Sequence, residues 1–137
     1  AEAVIARTGA RITHRGDRAY YAPFSDTITL PLREAFRDEA SYYGTALHEL
    51  VHWTGHEDRL DRLESTDFGS ESYAVEELVA ELGAAFACAE IGVEGELQHP
   101  EYIGQWIKVL KGDKRAIFSA ASKATKAVTY IMEGPKS

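Results

Sequence analysis

The chain has 137 residues, enough for one domain with a sizeable core, and 45% of them are hydrophobic, as in ordinary globular proteins. Its formal net charge of −7 opposes a sequence-independent grip on the phosphate backbone of nucleic acid. The single cysteine, Cys88, excludes an internal disulfide and is typical of a reducing, cytoplasmic compartment, and no apolar run reaches the length of a membrane span.

The first part of the chain predicts a short helix and a small sheet. The helix is expected over residues 1–7, and Gly9 should end it. Three short strands, separated by turn sequences, are expected over residues 10–14, 19–22 and 27–30. Apolar residues alternate with more polar neighbours in these segments, which predicts an antiparallel sheet. The edge strand of such a sheet could hold an extended peptide by backbone pairing.

The next predicted helix carries the motif on which most of the functional interpretation depends. His48, Glu49 and His52 form an HExxH pattern. A helix places two histidines at this spacing on one face, so that both imidazoles can reach one metal ion and Glu49 can reach a water molecule there. Gly55 is expected to end this helix. Its apolar side is formed by Leu47, Leu50, Val51 and Thr54.

A catalytic zinc site usually needs a third protein ligand, and two candidates follow the motif directly. His56 continues the i, i+4, i+8 series, but Gly55 should end the helix before it. Asp58 completes an HExxHxxGxxD pattern, in which a turn at the glycine can bring back a third ligand, although that ligand is usually histidine. Residues 55–70 are charged and irregular, as expected of the rim or lid of a cleft.

A helix expected over residues 72–91 offers the favoured third ligand. Its core face is assigned to three residues spaced four apart: Leu78, Leu82 and Phe86. Glu77 and Glu81 form a stripe beside that face, and carboxylates there need a partner such as a metal ion or a metal-bound histidine. We therefore predict Glu77 as the metal ligand and Glu81 as the group that orients a histidine through its other ring nitrogen. Glu76 is a less favoured competitor.

Two more helices complete the prediction of an α+β chain. The first should begin near Pro100 and end at Gly112, and the second should cover about residues 114–132, before Gly134. The first of them has an apolar face made of Tyr102, Ile103, Trp106, Ile107 and Leu110.

Read as a whole, the sequence resembles a known family. The resemblance is carried by the runs TALHELVHWTGHEDRL and FGSESYAVEELVAELGAAFACAEIG. It continues upstream through GDRAYYAPFSDTITLPLREAF and downstream through YIGQWIKVLKGDKRAIFSAASKA. These runs resemble the C-terminal zincin-like metallopeptidase domain of the ArdC antirestriction proteins and of TraC-type proteins of conjugative plasmids. The resemblance implies one zincin-like domain over residues 1–137, with the sheet packed on the HExxH helix.

The resemblance also implies which residues act and what they act on. His48 and His52 would be metal ligands, Glu49 the general base, and the third ligand an acidic residue of EELVAE, in agreement with Glu77 and against Asp58. The expected cofactor is Zn²⁺, with Mn²⁺ or another divalent metal also chemically acceptable. The family's N-terminal domain binds single-stranded DNA, and nothing in this chain matches it, so contact with DNA is expected only through a domain absent here.

Two classes of function follow from these expectations. In the first, the chain is a gluzincin-like peptidase that cleaves an unknown protein or peptide. In the second, it is a metal-stabilised binding module that gives antirestriction by masking DNA or a restriction enzyme without cleavage. Three tyrosines are near enough in sequence to assist a peptidase, with no preference among them: Tyr42, Tyr43 and Tyr73.

Overall fold

The computed structural model describes residues 1–63, 71–93, 106–107, 111–112 and 115–134. The elements in chain order are α1 (Glu2–Thr8), β1 (Arg11–His14), β2 (Tyr20–Ala22), β3 (Thr27–Leu30), a 3₁₀ turn (Arg33–Ala35), α2 (Glu39–Thr54), α3 (Glu71–Ile91) and α4 (Ala116–Glu133). The predicted α+β class is confirmed. The helix expected from Pro100 falls mostly outside the described residues.

The sheet is mixed, so the prediction of an antiparallel sheet is wrong for one of its pairs. The strand order is β1-β3-β2. β2 pairs antiparallel with β3, whereas β1 pairs parallel with it, placing Ile12 opposite Ile28. Alternating apolar residues indicate which face of a strand is buried, but not the direction of its neighbour. The central position of β3 explains why Ile28 and Leu30 are completely buried.

Helix α2 begins and ends at residues whose contacts define its limits. Asp38 is the N-cap, and its side chain accepts a hydrogen bond of 2.8 Å from the backbone N–H of Ser41. Gly55 follows the last residue, with an ordinary right-handed φ of −79°. Every residue from Ala46 to Thr54 is buried. The motif helix therefore lies inside the molecule, between the sheet on one side and α3 and α4 on the other.

Helix α3 packs against α2 and α4 through small residues. Its buried positions include Ala74, Ala80, Ala84 and Ala87, and α4 faces it with a stripe made of Ala120, Ala124, Ala127, Val128 and Ile131. The predicted core face of α3 is partly wrong, because Phe86 is 39% exposed and Leu82 is only half-buried. Leu82 and Phe86 turn toward the surface, whereas Leu78 stays buried together with alanines and carboxylates of α3. Among the described residues, no helix is long and apolar enough to cross a membrane.

Candidate metal centre

The three residues predicted as metal ligands meet between α2 and α3. Nε2 of His48 lies 3.1 Å from one carboxylate oxygen of Glu77, and Nε2 of His52 lies 3.1 Å from the other. One ligand atom from each of these residues falls within 4.8 Å of the other two. The helical spacing of the motif places the two imidazoles on one face of α2, and their rings lie with centroids 5.0 Å apart.

A second carboxylate lies on the far side of each imidazole. Oε1 of Glu81 lies 3.2 Å from Nδ1 of His48, and Oε2 of Glu76 lies 2.8 Å from Nδ1 of His52. With a metal ion facing Nε2, a carboxylate beside Nδ1 would hold the ring proton there and leave the lone pair on Nε2. Both Nε2 lone pairs would then be directed at a metal ion beside Glu77.

This donor set fits a divalent cation. With their protons on Nδ1, the two imidazoles present acceptor nitrogens to a carboxylate that is itself an acceptor, and a cation between them resolves the repulsion. The surroundings also favour positive charge, because four carboxylates are at least nine-tenths buried in this region: Glu49, Glu76, Glu77 and Glu81. Buried carboxylates need cationic partners, and two histidines with one carboxylate are a ligand set typical of zinc.

The pKa values of His48, His52 and Glu77 also indicate that this site favours positive charge. Burial lowers the pKa of His48, but hydrogen bonding to Glu77 and Glu81 outweighs it and raises the pKa above the ordinary value. For His52, burial is again outweighed, here by Glu76 and Glu77, and the pKa is raised well above that of a free histidine. Burial raises the pKa of Glu77, yet the two histidines hold it far below its usual range. Protons and a metal ion would therefore compete for the same nitrogens.

The structure places Glu49 inside α2, 3% exposed, and next to His48 in the chain. Its charge contributes to the raised pKa of His48. His56 and Asp58, the two weaker candidates for a third ligand, lie together on the turn after α2. The ring of His56 accepts a hydrogen bond from the backbone N–H of Asp58, and the two side chains are 3.7 Å apart. Neither belongs to the His48, His52 and Glu77 group.

Two of the three candidate tyrosines have hydroxyl partners elsewhere. The hydroxyl of Tyr42 is 2.7 Å from Nε2 of His14, and that of Tyr43 accepts a hydrogen bond from Arg33. Tyr73 lies on α3 one turn before Glu77, and it is half-buried. By position, Tyr73 is therefore the tyrosine of the three that shares a helix face with the predicted ligand.

Sequence reasoning missed the roles of Glu76 and Arg62. Arg62 donates to both oxygens of Glu76, at 2.7 Å and 3.1 Å, while Glu76 contacts His52. The sequence predicts Glu76 only as a competing ligand, because spacing along one helix does not reveal which ring nitrogen a carboxylate will meet. No local signal points to Arg62, which follows His52 by ten residues in an irregular segment.

Fold and site together define a class of protein. The chain matches, over residues 1–123, the model of a family described as zincin-like metallopeptidase, and it belongs to that family. Two relatives from Escherichia coli, both named DNA primase TraC, are 48% and 46% identical over 134 residues. These matches cover 96% of this chain but only 9% and 13% of the relatives. An uncharacterised protein, y4eC of Sinorhizobium fredii (strain NBRC 101917 / NGR234), is 43% identical over 96% of this chain and 43% of its own length.

The same fold occurs in the antirestriction protein ArdC of the R388 plasmid. Its Mn(II)-bound crystal structure matches with a TM-score of 0.90 and its metal-free structure with 0.88, both at 42% identity over 96% of this chain. The matches cover 50% and 48% of the ArdC chain. This chain thus spans about half of ArdC and a far smaller part of the TraC proteins. The resemblance to ArdC and TraC-type proteins read from the sequence is confirmed.

Proposed function

We propose that this chain is a metal-dependent peptidase domain in which His48, His52 and Glu77 hold the metal. The observation that supports this best is the convergence of two imidazole Nε2 atoms on the two oxygens of one carboxylate, each at 3.1 Å. Glu81 would orient His48 through Nδ1, at 3.2 Å. Zinc is the metal typical of this ligand set, and manganese is also acceptable, since the related ArdC protein has a Mn(II)-bound structure.

In the proposed reaction, Glu49 is the general base. A divalent ion at these ligands would supply Lewis-acid chemistry, acidifying a water and polarising the peptide carbonyl. Glu49 would accept the proton of the attacking water and return it to the nitrogen of the leaving amine. Its burial, with 3% exposure, would shield this proton transfer from bulk solvent.

The ligand assignment is tested by metal content. We expect the wild-type chain to retain one zinc ion after loading and gel filtration, and Glu49→Gln to retain it as well. His48→Ala, His52→Ala and Glu77→Ala should each lose it. Glu90→Ala serves as the matched control, because Glu90 is an exposed carboxylate of the same helix α3. Full zinc retention by Glu77→Ala would contradict the assignment.

Peptidase activity is tested by incubating the zinc- or manganese-loaded chain with a random peptide library and reading cleavage by mass spectrometry. We expect new peptide ends with the wild-type chain and none with Glu49→Gln, which keeps the shape of the side chain but cannot act as a base. If the metal-loaded wild-type chain leaves the library intact, the peptidase proposal is contradicted.

A non-catalytic binding module is the second candidate. It is favoured by the names of the similar proteins, DNA primase TraC and antirestriction ArdC, neither of which describes peptide hydrolysis. In this case the metal would hold α2 and α3 together, and a larger protein would use the domain to bind a partner. We further propose that residues 1–137 form one domain that acts in the cytoplasm, and that contact with DNA is made by other parts of such larger proteins.

A further inference from the structure

The turn that follows α2 is folded tightly back onto the end of that helix. Arg62 and Leu63 donate backbone hydrogen bonds of 2.8 Å and 3.1 Å to the carbonyl of Gly55, and Leu60 donates one of 2.9 Å to Thr54. A Cβ atom at Gly55 would lie 2.8 Å from Leu63 and 3.0 Å from the Arg62 guanidinium. Glycine is therefore required there by this close approach, because its φ of −79° is open to any residue.

Two arginines of this turn bind the last carbonyl groups of α2. Arg59 donates a hydrogen bond of 2.7 Å to the carbonyl of Trp53, and its guanidinium lies over the Trp53 ring. It also forms an ion pair with Asp26 of the β2–β3 turn. Arg62 donates a hydrogen bond of 2.6 Å to the carbonyl of Val51 and one of 3.3 Å to the hydroxyl of Thr54. Both arginines thus cap the same helix end and hold the same turn in place.

Only one of these two arginines also reaches the candidate metal centre. The Arg62 guanidinium donates to both oxygens of Glu76, at 2.7 Å from Nε and 3.1 Å from Nη2. Glu76 in turn lies 2.8 Å from Nδ1 of His52. Arg59 instead contacts Trp53 and Asp26, and neither of these residues belongs to the series Arg62, Glu76 and His52.

We propose that Arg62 is a positioning residue of the metal centre, acting through Glu76 on His52. The inference depends on the proposed metal site. A fork of two hydrogen bonds fixes the plane of the Glu76 carboxylate, whose side chain could otherwise rotate about three single bonds. The fixed carboxylate holds the Nδ1 proton of His52, and the ring then directs its Nε2 lone pair at the metal position. The turn of residues 55–63 becomes part of the centre.

The competing explanation is that Arg62 only stabilises the end of α2. Arg59 is a matched control for that explanation, since it performs the same structural task from the same turn without touching Glu76. Glu76→Gln is a second probe, because it weakens the fork while leaving the Arg62 contacts with Val51 and Thr54 available.

The experiment measures Zn(II) affinity by competition with a chromophoric chelator, and records the visible spectrum of the Co(II)-loaded chain. We expect Arg62→Met and Glu76→Gln each to weaken Zn(II) binding about 10- to 100-fold and to alter the Co(II) bands. Arg62→Lys should recover only part of the affinity, because an ammonium group cannot make the two-bond fork. The double variant that combines Arg62→Met with Glu76→Gln should bind Zn(II) no more weakly than the single variant with the lower affinity. Arg59→Met should leave both the Zn(II) affinity and the Co(II) spectrum unchanged.

The proposal would be overturned if Arg59→Met and Arg62→Met lowered the Zn(II) affinity equally, or if the two losses of affinity added in the double variant. Arg62 would then have a purely structural role. A wild-type chain that binds no Zn(II) would overturn the metal centre itself. Tight wild-type binding that Arg62→Met leaves intact would overturn only the positioning role. If Arg62→Met does not fold, as judged by circular dichroism without metal, Arg62→Lys and Glu76→Gln decide the question by the same criteria.

Discussion

Each imidazole of the centre has a carboxylate at both of its nitrogens. For His48 these are Glu77 at Nε2 and Glu81 at Nδ1, at 3.1 Å and 3.2 Å. The two carboxylates differ in what they face, since Glu77 also contacts His52. A group placed between both histidines is expected to bind a metal directly, whereas a group behind one of them is expected to orient that ring.

This difference predicts a graded response to two truncations on the same helix. Glu77→Ala should abolish stoichiometric zinc binding because a ligand is lost. Glu81→Ala should retain zinc with an affinity about 10- to 100-fold weaker, because only the orientation of His48 is relaxed. Isothermal titration with Zn(II) measures both, with Glu90→Ala as control. A weaker effect of Glu77→Ala than of Glu81→Ala would reverse the two roles.

Helices α2 and α3 approach each other closely enough to share one metal position. Small residues line this approach, and Gly83 is one point of close contact, because a Cβ atom there would lie 2.7 Å from Cγ2 of Val51. Val51 is branched at Cβ and has little rotamer freedom within a helix. The absence of a side chain at Gly83 therefore allows the close approach of the two helices that carry the site.

Gly83→Ala is expected to destabilise the fold by about 1–3 kcal/mol, as overpacking of a closely packed core usually does. Urea denaturation followed by circular dichroism measures the change. The double variant Gly83→Ala with Val51→Ala should recover part of the loss, because it removes the methyl groups that the new Cβ meets. A Gly83→Ala chain as stable as the wild type would show that the helices can separate freely.

A second link joins the β2–β3 turn to the turn after α2. Asp26 accepts a hydrogen bond of 2.7 Å from the hydroxyl of Tyr21 and pairs with Arg59. Burial raises the pKa of Asp26, but hydrogen bonds from Arg59 and Tyr21 outweigh it, and the pKa is lowered. A lowered carboxyl pKa contributes stability above the unfolded value, about 3.9, and this contribution is lost as pH falls through the folded value.

Asp26→Asn should therefore lower the melting temperature near neutral pH, and the difference from wild type should shrink as pH falls below about 4. Asparagine is the suitable replacement because it tolerates the positive φ of 56° at this position. Thermal unfolding at a series of pH values gives both curves. A difference that stays constant down to the acid limit would mean that the carboxylate charge is not involved.

At the scale of the whole molecule, the candidate metal centre lies between α2 and α3. α2 packs on α3, α4 and the sheet, and its buried stretch from Ala46 to Thr54 contains both histidines. The buried carboxylates around the two histidines place negative charge inside the otherwise largely apolar core. A metal ion there would offset the cost of burying those charges, so metal binding and folding should be coupled.

Metal removal should consequently lower the stability of the chain. A ligand that binds only the folded state at about 100 times its dissociation constant adds about 2.7 kcal/mol. For a chain of this size that corresponds to a rise of roughly 10 °C in melting temperature. Scanning fluorimetry with and without zinc measures the shift, and His48→Ala should abolish it. An equal shift in His48→Ala would place the stabilising ion elsewhere.

The local features of the site were readable from the sequence. Helical periodicity predicted α2 and α3, stop signals predicted the limits of α4, and the four-residue spacing predicted that His48 and His52 share a face. The pairing of Glu77 and Glu81 with these histidines also followed from spacing, once a second helix was assumed to face the first, and in the structure both carboxylates contact His48. These features could be predicted because periods of two and 3.6 residues belong to the backbone itself.

Other features were decided only by the tertiary structure. The parallel pairing of β1 with β3, the outward turn of Phe86, the contact of Arg62 with Glu76 and that of Glu76 with His52 have no local signature. Each depends on how distant segments pack, which is set by volume, close approach and the pairing of buried charges. The sequence determined which residues could bind a metal, and the packing of α3 and the Gly55 turn against α2 decided which partner each of those residues meets.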